Sequence, residues 1–173
     1  MPHISQIDYA TADAATKAAH DEEVRLRGRM TNMKRTLLHS IPANRIYAEW
    51  FTLRDELRPV LSDREVWLFC HAIAVQQNAL VPRMFFRRAM SENGILPEAP
   101  NATPGEQLLI DFGVAIATNS NAVPEAIWDA LKASYDERTL VNLVAFAGIM
   151  VATIIFTNAV AVELDAELER YLA

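Results

Sequence analysis

The chain has 173 residues, of which 51% are hydrophobic and 22% are charged, a balance that excludes a disordered or low-complexity chain. Its 22 acidic residues outnumber its 16 lysines and arginines, and the net charge of −6 argues against a nucleic-acid-binding protein. The single cysteine, Cys70, excludes an intrachain disulfide framework, a zinc ribbon and a within-chain dithiol pair. We expect one domain over residues 1–173.

Hydrophobic residues recur at intervals of three and four, and strict alternation over the length of a strand is absent, so the sequence predicts an all-α protein. Ser62 with Glu65, and Thr103 with Glu106, form capping boxes that mark helix starts. About seven helices are predicted, over residues 11–27, 31–39, 43–58, 63–92, 104–118, 124–134 and 137–160, with a short one near 165–172. Within the longest of the early segments, Pro82 is expected to kink or split the helix.

Residues 139–162 carry no charge and are long enough to cross a bilayer. The segment also contains several polar residues, and a helix that is apolar on nearly every side can equally be buried in a core or between subunits. We predict burial, homo-oligomerisation and no membrane association. The N-terminus lacks the basic start and apolar run of a secretory signal, so a cytoplasmic protein is expected.

Three stretches of the chain form a pattern when they are considered together, and they are residues 27–42, residues 61–68 (LSDREVWL) and residues 140–163, which begin LVNL and end TNAVAVE. This pattern resembles the carboxymuconolactone decarboxylase and alkylhydroperoxidase-D-like family. Together the three stretches cover about residues 27–165, in the family's order, and leave the predicted helix over 11–27 outside. The resemblance implies an orthogonal multi-helix bundle that assembles into trimers or hexamers, with pockets near the subunit contacts.

Of the catalytic residues of the family's peroxidases the sequence keeps only the Glu, as Glu65, and lacks the cysteines and the histidine. Those enzymes carry a Glu, then a Cys-x-x-Cys pair, then a His. Counted from Glu65, the two cysteines and the histidine fall, in two alternative registers, at Gln77, Leu80 and Met84 or at Ala79, Pro82 and Phe86. A thiolate is the nucleophile in that reaction, so the sequence predicts that the protein is not a dithiol peroxidase.

Two residues remain candidates for proton transfer. Glu65 could act as a general base if burial raised its pKa, or it could serve only as the third residue of its capping box. His71, on the same predicted helix, could be its partner or a hydrogen-bonded structural histidine. Cys70 is interpreted as a small buried hydrophobic residue, with redox chemistry at this lone thiol as the alternative.

Candidate substrate-binding residues follow on the same segment. Gln77 and Asn78 belong to a run of three amides within an apolar helix, and buried amides need partners. Arg83 and Arg87 are four residues apart, so they project from one helix face and could clamp a carboxylate, or they could form a solvated basic face.

Two further patterns are interpreted as structural. The densest basic stretch is taken as a solvated face, and three aromatic residues at helical spacing are taken as core or subunit interface. The basic stretch is Arg25, Arg27, Arg29, Lys34 and Arg35, and the aromatic residues are Trp67, Phe85 and Phe86.

Two functions are compatible with these observations. The first is a lyase or hydrolase that acts without metal or cofactor on a small organic acid or lactone, since no metal-ligand spacing or phosphate-binding loop is present. In it Glu65 and His71 are catalytic, and Gln77, Asn78, Arg83 and Arg87 bind the substrate. The second is a non-catalytic oligomeric binding or scaffold protein that kept the fold.

Overall fold

The computed structural model describes residues 1–172, which form eight α-helices and a C-terminal 3₁₀ helix and contain no strand. The helices are α1 (Ala14–Arg27), α2 (Asn32–Leu37), α3 (Ile41–Leu57), α4 (Asp63–Gln76), α5 (Leu80–Glu92), α6 (Pro104–Asn119), α7 (Glu125–Ser134) and α8 (Glu137–Val160), followed by the 3₁₀ helix (Ala166–Tyr171). The predicted all-α fold class is confirmed.

Side chains at the helix starts explain most of the boundaries. Six of the eight α-helices begin with a Ser, Thr or Asp whose oxygen accepts a backbone amide of the first turn. Both predicted capping boxes are present: the carboxylate of Glu65 accepts the backbone N–H of Ser62, and that of Glu106 accepts the backbone N–H of Thr103. α1 begins at Ala14 rather than residue 11 because Asp13 is its cap.

The predicted helix over 63–92 is two helices, α4 and α5. The break lies at residues 77–79, where Asn78 adopts a left-handed backbone with φ of 49°. Pro82 is the third residue of α5, a position at which its missing amide breaks no helical hydrogen bond. Pro82 therefore lies at the start of the second helix, and the chain turns before reaching it.

The core is centred on α4, which packs against α5, α6 and α8. Phe69 of α4 lies between Phe112 of α6 and Phe146 of α8, with ring centroids 5.9 and 6.4 Å away. All three side chains are fully buried. These rings join three helices into one apolar core.

α8 has the length and composition of a membrane-spanning helix, and it is only partly buried in the protomer. A third of its most apolar 18-residue window is buried. One face packs on α3 and α4, whereas Val141 and Ile155 on the other face are 66% and 61% exposed. The expected burial therefore holds for one face of the helix within the protomer.

Candidate functional site

A cavity of about 470 Å³ lies between α1, α2, α3, α5 and α8, beside the 3₁₀ helix. Much of its wall is aromatic. The rings come from two adjacent turns of α3 and from the second turn of α5, and they are Tyr47, Trp50, Phe51, Phe85 and Phe86. A space of this size and lining is typical of a small-molecule site.

The cavity is basic although the protein is acidic. Five cationic side chains line it, and they are Arg27, Arg29, Lys34, Arg54 and Arg88. Two carboxylates, Glu23 and Asp165, line it as well. The excess of positive charge beside low-dielectric walls favours an anionic ligand.

Four of the five cations are paired with carboxylates of the protein. Lys34 Nζ lies 2.6 Å from Glu23 Oε2, and Glu23 is buried. Arg54 binds the neighbouring carboxylate of Asp55, at 2.8 Å from Nη2 to Oδ1. These two pairs leave Lys34 and Arg54 largely neutralised.

The third pairing joins the cavity to the 3₁₀ helix. Arg29 and Arg88 both lie against Oε1 of Glu167, with Arg88 Nη1 at 3.4 Å. Both guanidinium groups also lie near the ring of Phe85, at 5.7 and 5.1 Å from its centroid. Burial, and then the charge of Arg88, lower the pKa of Arg29. Glu92 lies 4.0 Å from Nε of Arg88 as well, so Glu167 and Glu92 together balance the two guanidinium groups.

Arg27 is the exception. Its guanidinium carbon lies 3.8 Å from the centroid of the Phe51 ring, a cation–π contact. Its Nε is buried and has no hydrogen-bond partner, and no carboxylate within residues 1–172 lies within 4.0 Å of its nitrogens. Arg27 is therefore a cation held at the cavity wall by an aromatic ring instead of by a counter-charge.

The start of α5 borders the same cavity. Pro82 and Phe86, the positions that one register of the family resemblance gives to a cysteine and the histidine, both line it. Cys70 does not line the cavity: its side chain is fully buried, and desolvation raises its pKa. A buried thiol with a raised pKa carries little thiolate at neutral pH.

Glu65 lies outside the cavity. Its Oε2 accepts hydrogen bonds from the backbone N–H and the hydroxyl of Ser62, at 2.8 and 2.7 Å. The same carboxylate contributes, after burial, to the raised pKa of Tyr135. The observed contacts of Glu65 are thus those of a helix cap, and the structure shows no contact between Glu65 and His71.

His71 lies in a separate charged cluster with Arg83, Arg87 and Glu98. Burial is the main cause of a His71 pKa lowered to about 4, and Arg87 and Arg83 lower it further while Glu98 opposes them. Arg87 forms an ion pair with Glu98 at 2.8 Å, and the Nε of Arg83 is buried without a partner. The predicted pair Arg83 and Arg87 is therefore brought together with His71, away from the cavity.

The two predicted amides are in different surroundings. Gln77 Nε2 donates to the carbonyl of Ala117 at 3.1 Å, which ties the end of α4 to α6. Asn78 is exposed in the turn between α4 and α5. None of the six predicted site residues lines the basic cavity.

The interpretation of the basic stretch needs correction. Arg27, Arg29 and Lys34 belong to the stretch taken as a solvated face, yet all three line the cavity. The aromatic residues are core, as predicted: Phe86 belongs to the buried core cluster and Phe85 and Trp67 pack against it, while Phe85 and Phe86 also line the cavity. A useful signal was the recurrence of basic residues every few positions over 25–35, followed by Trp50 and Phe51, because such a combination suits an aromatic anion.

Comparison with solved structures identifies the fold. A variant of the debrominase Bmp8 in complex with 2,3,4-tribromopyrrole superposes with a TM-score of 0.79 and 13% identity, over 98% of this chain and 95% of that one. An alkylhydroperoxidase AhpD core protein from Ralstonia eutropha JMP134 gives 0.77 and 15%, over 96% and 94%. A peroxidase-related protein from Silicibacter sp. TM1040 gives 0.74 and 14%, over 95% and 93%.

These similarities define the fold class: a helical bundle of the AhpD-like type. The chain has the alkylhydroperoxidase-D-like fold that its sequence resemblance implied. No protein-family profile and no curated protein sequence matches it. At these identities the likeness extends to the fold alone.

Proposed function

We propose that the protein binds a small organic anion in the basic aromatic cavity. The observation that carries the proposal is the combination of five cationic side chains, five aromatic rings and a volume of about 470 Å³ in one cavity. Aromatic walls supply apolar contact area, and the cations supply orientation and charge recognition. A structural neighbour that holds a brominated pyrrole supports a ligand of ring size.

A lyase or hydrolase reaction on a small organic acid or lactone is the second candidate. The buried Glu23–Lys34 ion pair favours it, since a carboxylate and an ammonium at the cavity wall can act as base and acid. Glu65 and His71 remain predicted catalytic residues, but they would have to act away from this cavity. The alternative predicted from the sequence, a binding or scaffold protein without turnover, needs neither a general base nor a general acid.

Blocking the cavity tests the proposal. Ala48 lines the cavity on α3, so Ala48→Trp fills it, while Ile46→Trp on the same helix adds an indole at a position that is 66% exposed and outside the cavity lining. A panel of aryl carboxylates, small lactones and their neutral amides is screened by thermal shift and calorimetry, and turnover is followed by NMR.

We expect carboxylates to raise the melting temperature of the wild type and of Ile46→Trp, and to have no effect on Ala48→Trp. Binding that survives in Ala48→Trp, or an absence of binding by every anion, would contradict the proposal. If a product forms with the wild type and not with Glu23→Gln, the result would support an enzyme that acts in the cavity. If only Glu65→Gln abolishes product formation, the reaction takes place outside the cavity.

A further inference from the structure

We propose that Arg27 is the anion-binding residue of the cavity and that the ligand is an aromatic compound with a single carboxylate. This inference rests on the proposed function, because it assigns the chemistry of a ligand in the same cavity. It begins from the charge balance of the cavity wall.

The other four cations already have carboxylates. Lys34 is paired with Glu23, Arg54 with Asp55, and both Arg29 and Arg88 with Glu167. A ligand that used them would have to displace a carboxylate of the protein. Among the cationic residues of the wall, Arg27 is the one with no carboxylate within 4.0 Å in the described part of the chain.

The side chain of Arg27 is also held in place before a ligand arrives. Its guanidinium lies over the Phe51 ring at 3.8 Å, and Lys34 Nζ and Arg54 Cζ approach the same ring at 5.4 and 5.3 Å. The field of Arg27 reaches Asp55 and contributes weakly to the lowered pKa of that carboxyl. A guanidinium fixed against a ring presents its donors in one direction, which lowers the entropic cost of binding an anion.

Arg27 is half-buried, and one donor of its guanidinium is costly to the protein. The N–H at Nε is buried and has no acceptor. A buried donor that stays unsatisfied destabilises the folded state, and a carboxylate can accept two parallel hydrogen bonds from one guanidinium. A ligand carboxylate would therefore satisfy a group that the protein itself leaves unsatisfied.

The wall next to Arg27 indicates the rest of the ligand. Trp50 and Phe51 are in edge-to-face contact, with centroids 4.9 Å apart, and Phe85 and Phe86 meet at 5.1 Å on the opposite helix. Flat rings of this kind favour a planar apolar body over a puckered one. We infer a single carboxylate because only one cation of the wall is unpaired. A second anionic group on the ligand would meet only cations that are already paired with carboxylates of the protein.

Four probes distinguish these features, measured by calorimetry on the full chain: benzoate, benzamide, cyclohexanecarboxylate and isophthalate. We expect benzoate to bind best, because benzamide lacks the charge, cyclohexanecarboxylate lacks the planar ring, and isophthalate carries a second carboxylate. Tighter binding of isophthalate, or equal binding of benzoate and benzamide, would overturn the inference.

The residue is tested by Arg27→Gln, with Arg25→Gln as the matched control. Arg25 is on the same helix, is exposed and is paired with Glu22. We expect Arg27→Gln to weaken benzoate binding about 10- to 100-fold, the loss typical of a hydrogen bond to a charged group, and to leave the affinity for benzamide unchanged. Arg25→Gln should bind benzoate as tightly as the wild type.

Two results separate this inference from the proposed function. Benzoate that binds Arg27→Gln as tightly as the wild type, yet fails to bind Ala48→Trp, would overturn the role of Arg27 and leave the cavity as the site. Benzoate binding that is unchanged in Ala48→Trp would overturn both the role of Arg27 and the proposed cavity site. If Arg27→Gln does not fold, the Arg27 Nε–H signal in ¹⁵N NMR of the wild type decides: it shifts on addition of benzoate if Arg27 is the anchor and stays in place if it is not.

Discussion

At the scale of single residues, the sequence allowed Glu65 to be either a general base or a helix cap, and its neighbours in the structure distinguish the two roles. Its Oε2 accepts hydrogen bonds from the backbone N–H and the hydroxyl of Ser62, so this oxygen is engaged in the cap. An oxygen engaged in this way is available as a base only if the cap opens. Stability is therefore the first property that a substitution of Glu65 should change.

We expect Glu65→Ala to lower the free energy of unfolding by about 1 kcal/mol, because the two hydrogen bonds from Ser62 to the Glu65 carboxylate are lost. Glu65→Gln should retain most of the stability, since Gln also serves in a capping box. Urea unfolding followed by circular dichroism measures both, with Asp63→Ala in the same first turn as the control. A Glu65→Ala protein as stable as the wild type would contradict the role as a cap.

His71 gives a prediction about pH. Burial lowers its pKa in the folded protein to about 4, below the ordinary value of 6.5. Between these values the unfolded chain binds the proton that the folded chain excludes, so the stability contribution is complete above pH 6.5 and is lost as the pH falls towards 4. We expect His71→Asn to flatten this part of the stability profile, which has a span of at most about 3 kcal/mol.

Urea unfolding at pH 7, 5.5 and 4.5 provides the measurement. His3→Gln is the control, because His3 is exposed. A wild-type profile that loses no more stability than His71→Asn over this range would show that His71 is not the group responsible.

At the scale of helices, α4 and α6 pack closely against each other at Gly113. Gly113 of α6 faces α4, and a Cβ at this position would lie 3.0 Å from the carbonyl oxygen of Phe69 and 3.2 Å from Cγ1 of Ile73. The backbone oxygen cannot move without disturbing α4. The glycine thus allows two core helices to pack with the Phe69 and Phe112 rings stacked.

We expect Gly113→Ala to destabilise the protein by about 1–3 kcal/mol, the usual cost of overpacking a core. Gly105→Ala, in the first turn of the same helix, is the matched control because nothing lies within 4 Å of its added Cβ. Thermal unfolding of the two variants gives the comparison. An equal effect of both substitutions would show that helix propensity, and not the contact with α4, determines the outcome.

At the scale of the whole molecule, α8 leaves an apolar face uncovered. Beyond the first turn its exposed residues carry no charge, and they are Val141, Val144, Ala145, Gly148, Ile155, Asn158 and Ala159. A continuous apolar stripe on a helix is unusual on the surface of a monomer, and small residues permit close helix contact. We propose that a second copy of the chain covers this face, as part of a trimer or hexamer.

We expect Gly148→Arg to fold like the wild type, since nothing lies within 4 Å of a Cβ at Gly148, and to shift the protein towards monomer. Leu96→Arg is the control, because Leu96 is 67% exposed and lies outside α8. Light scattering at micromolar concentration measures the mass of each. A monomeric wild type, or a Gly148→Arg protein that keeps the wild-type assembly, would contradict the proposed interface.

The fold could be predicted from the sequence largely because its determinants are local. Hydrophobic spacing and caps such as Ser62 and Thr103 depend only on residues within a few positions, so most helix boundaries lie close to those predicted. A split of the 63–92 segment was predicted from Pro82, but its position at Asn78 was not, since the left-handed backbone there follows from how α5 packs back on α4. The missing cysteine pair was also evident from the sequence alone.

The cavity was decided only by the tertiary structure. Arg27 and Phe51 are 24 positions apart, and Arg29, Arg88 and Glu167 come from three distant parts of the chain. No periodicity relates such residues, because contacts between helices depend on how their axes cross and not on spacing along the chain. The sequence by itself determined the all-α fold class and the lack of a dithiol, whereas packing decided which cations meet a carboxylate and left Arg27 without one.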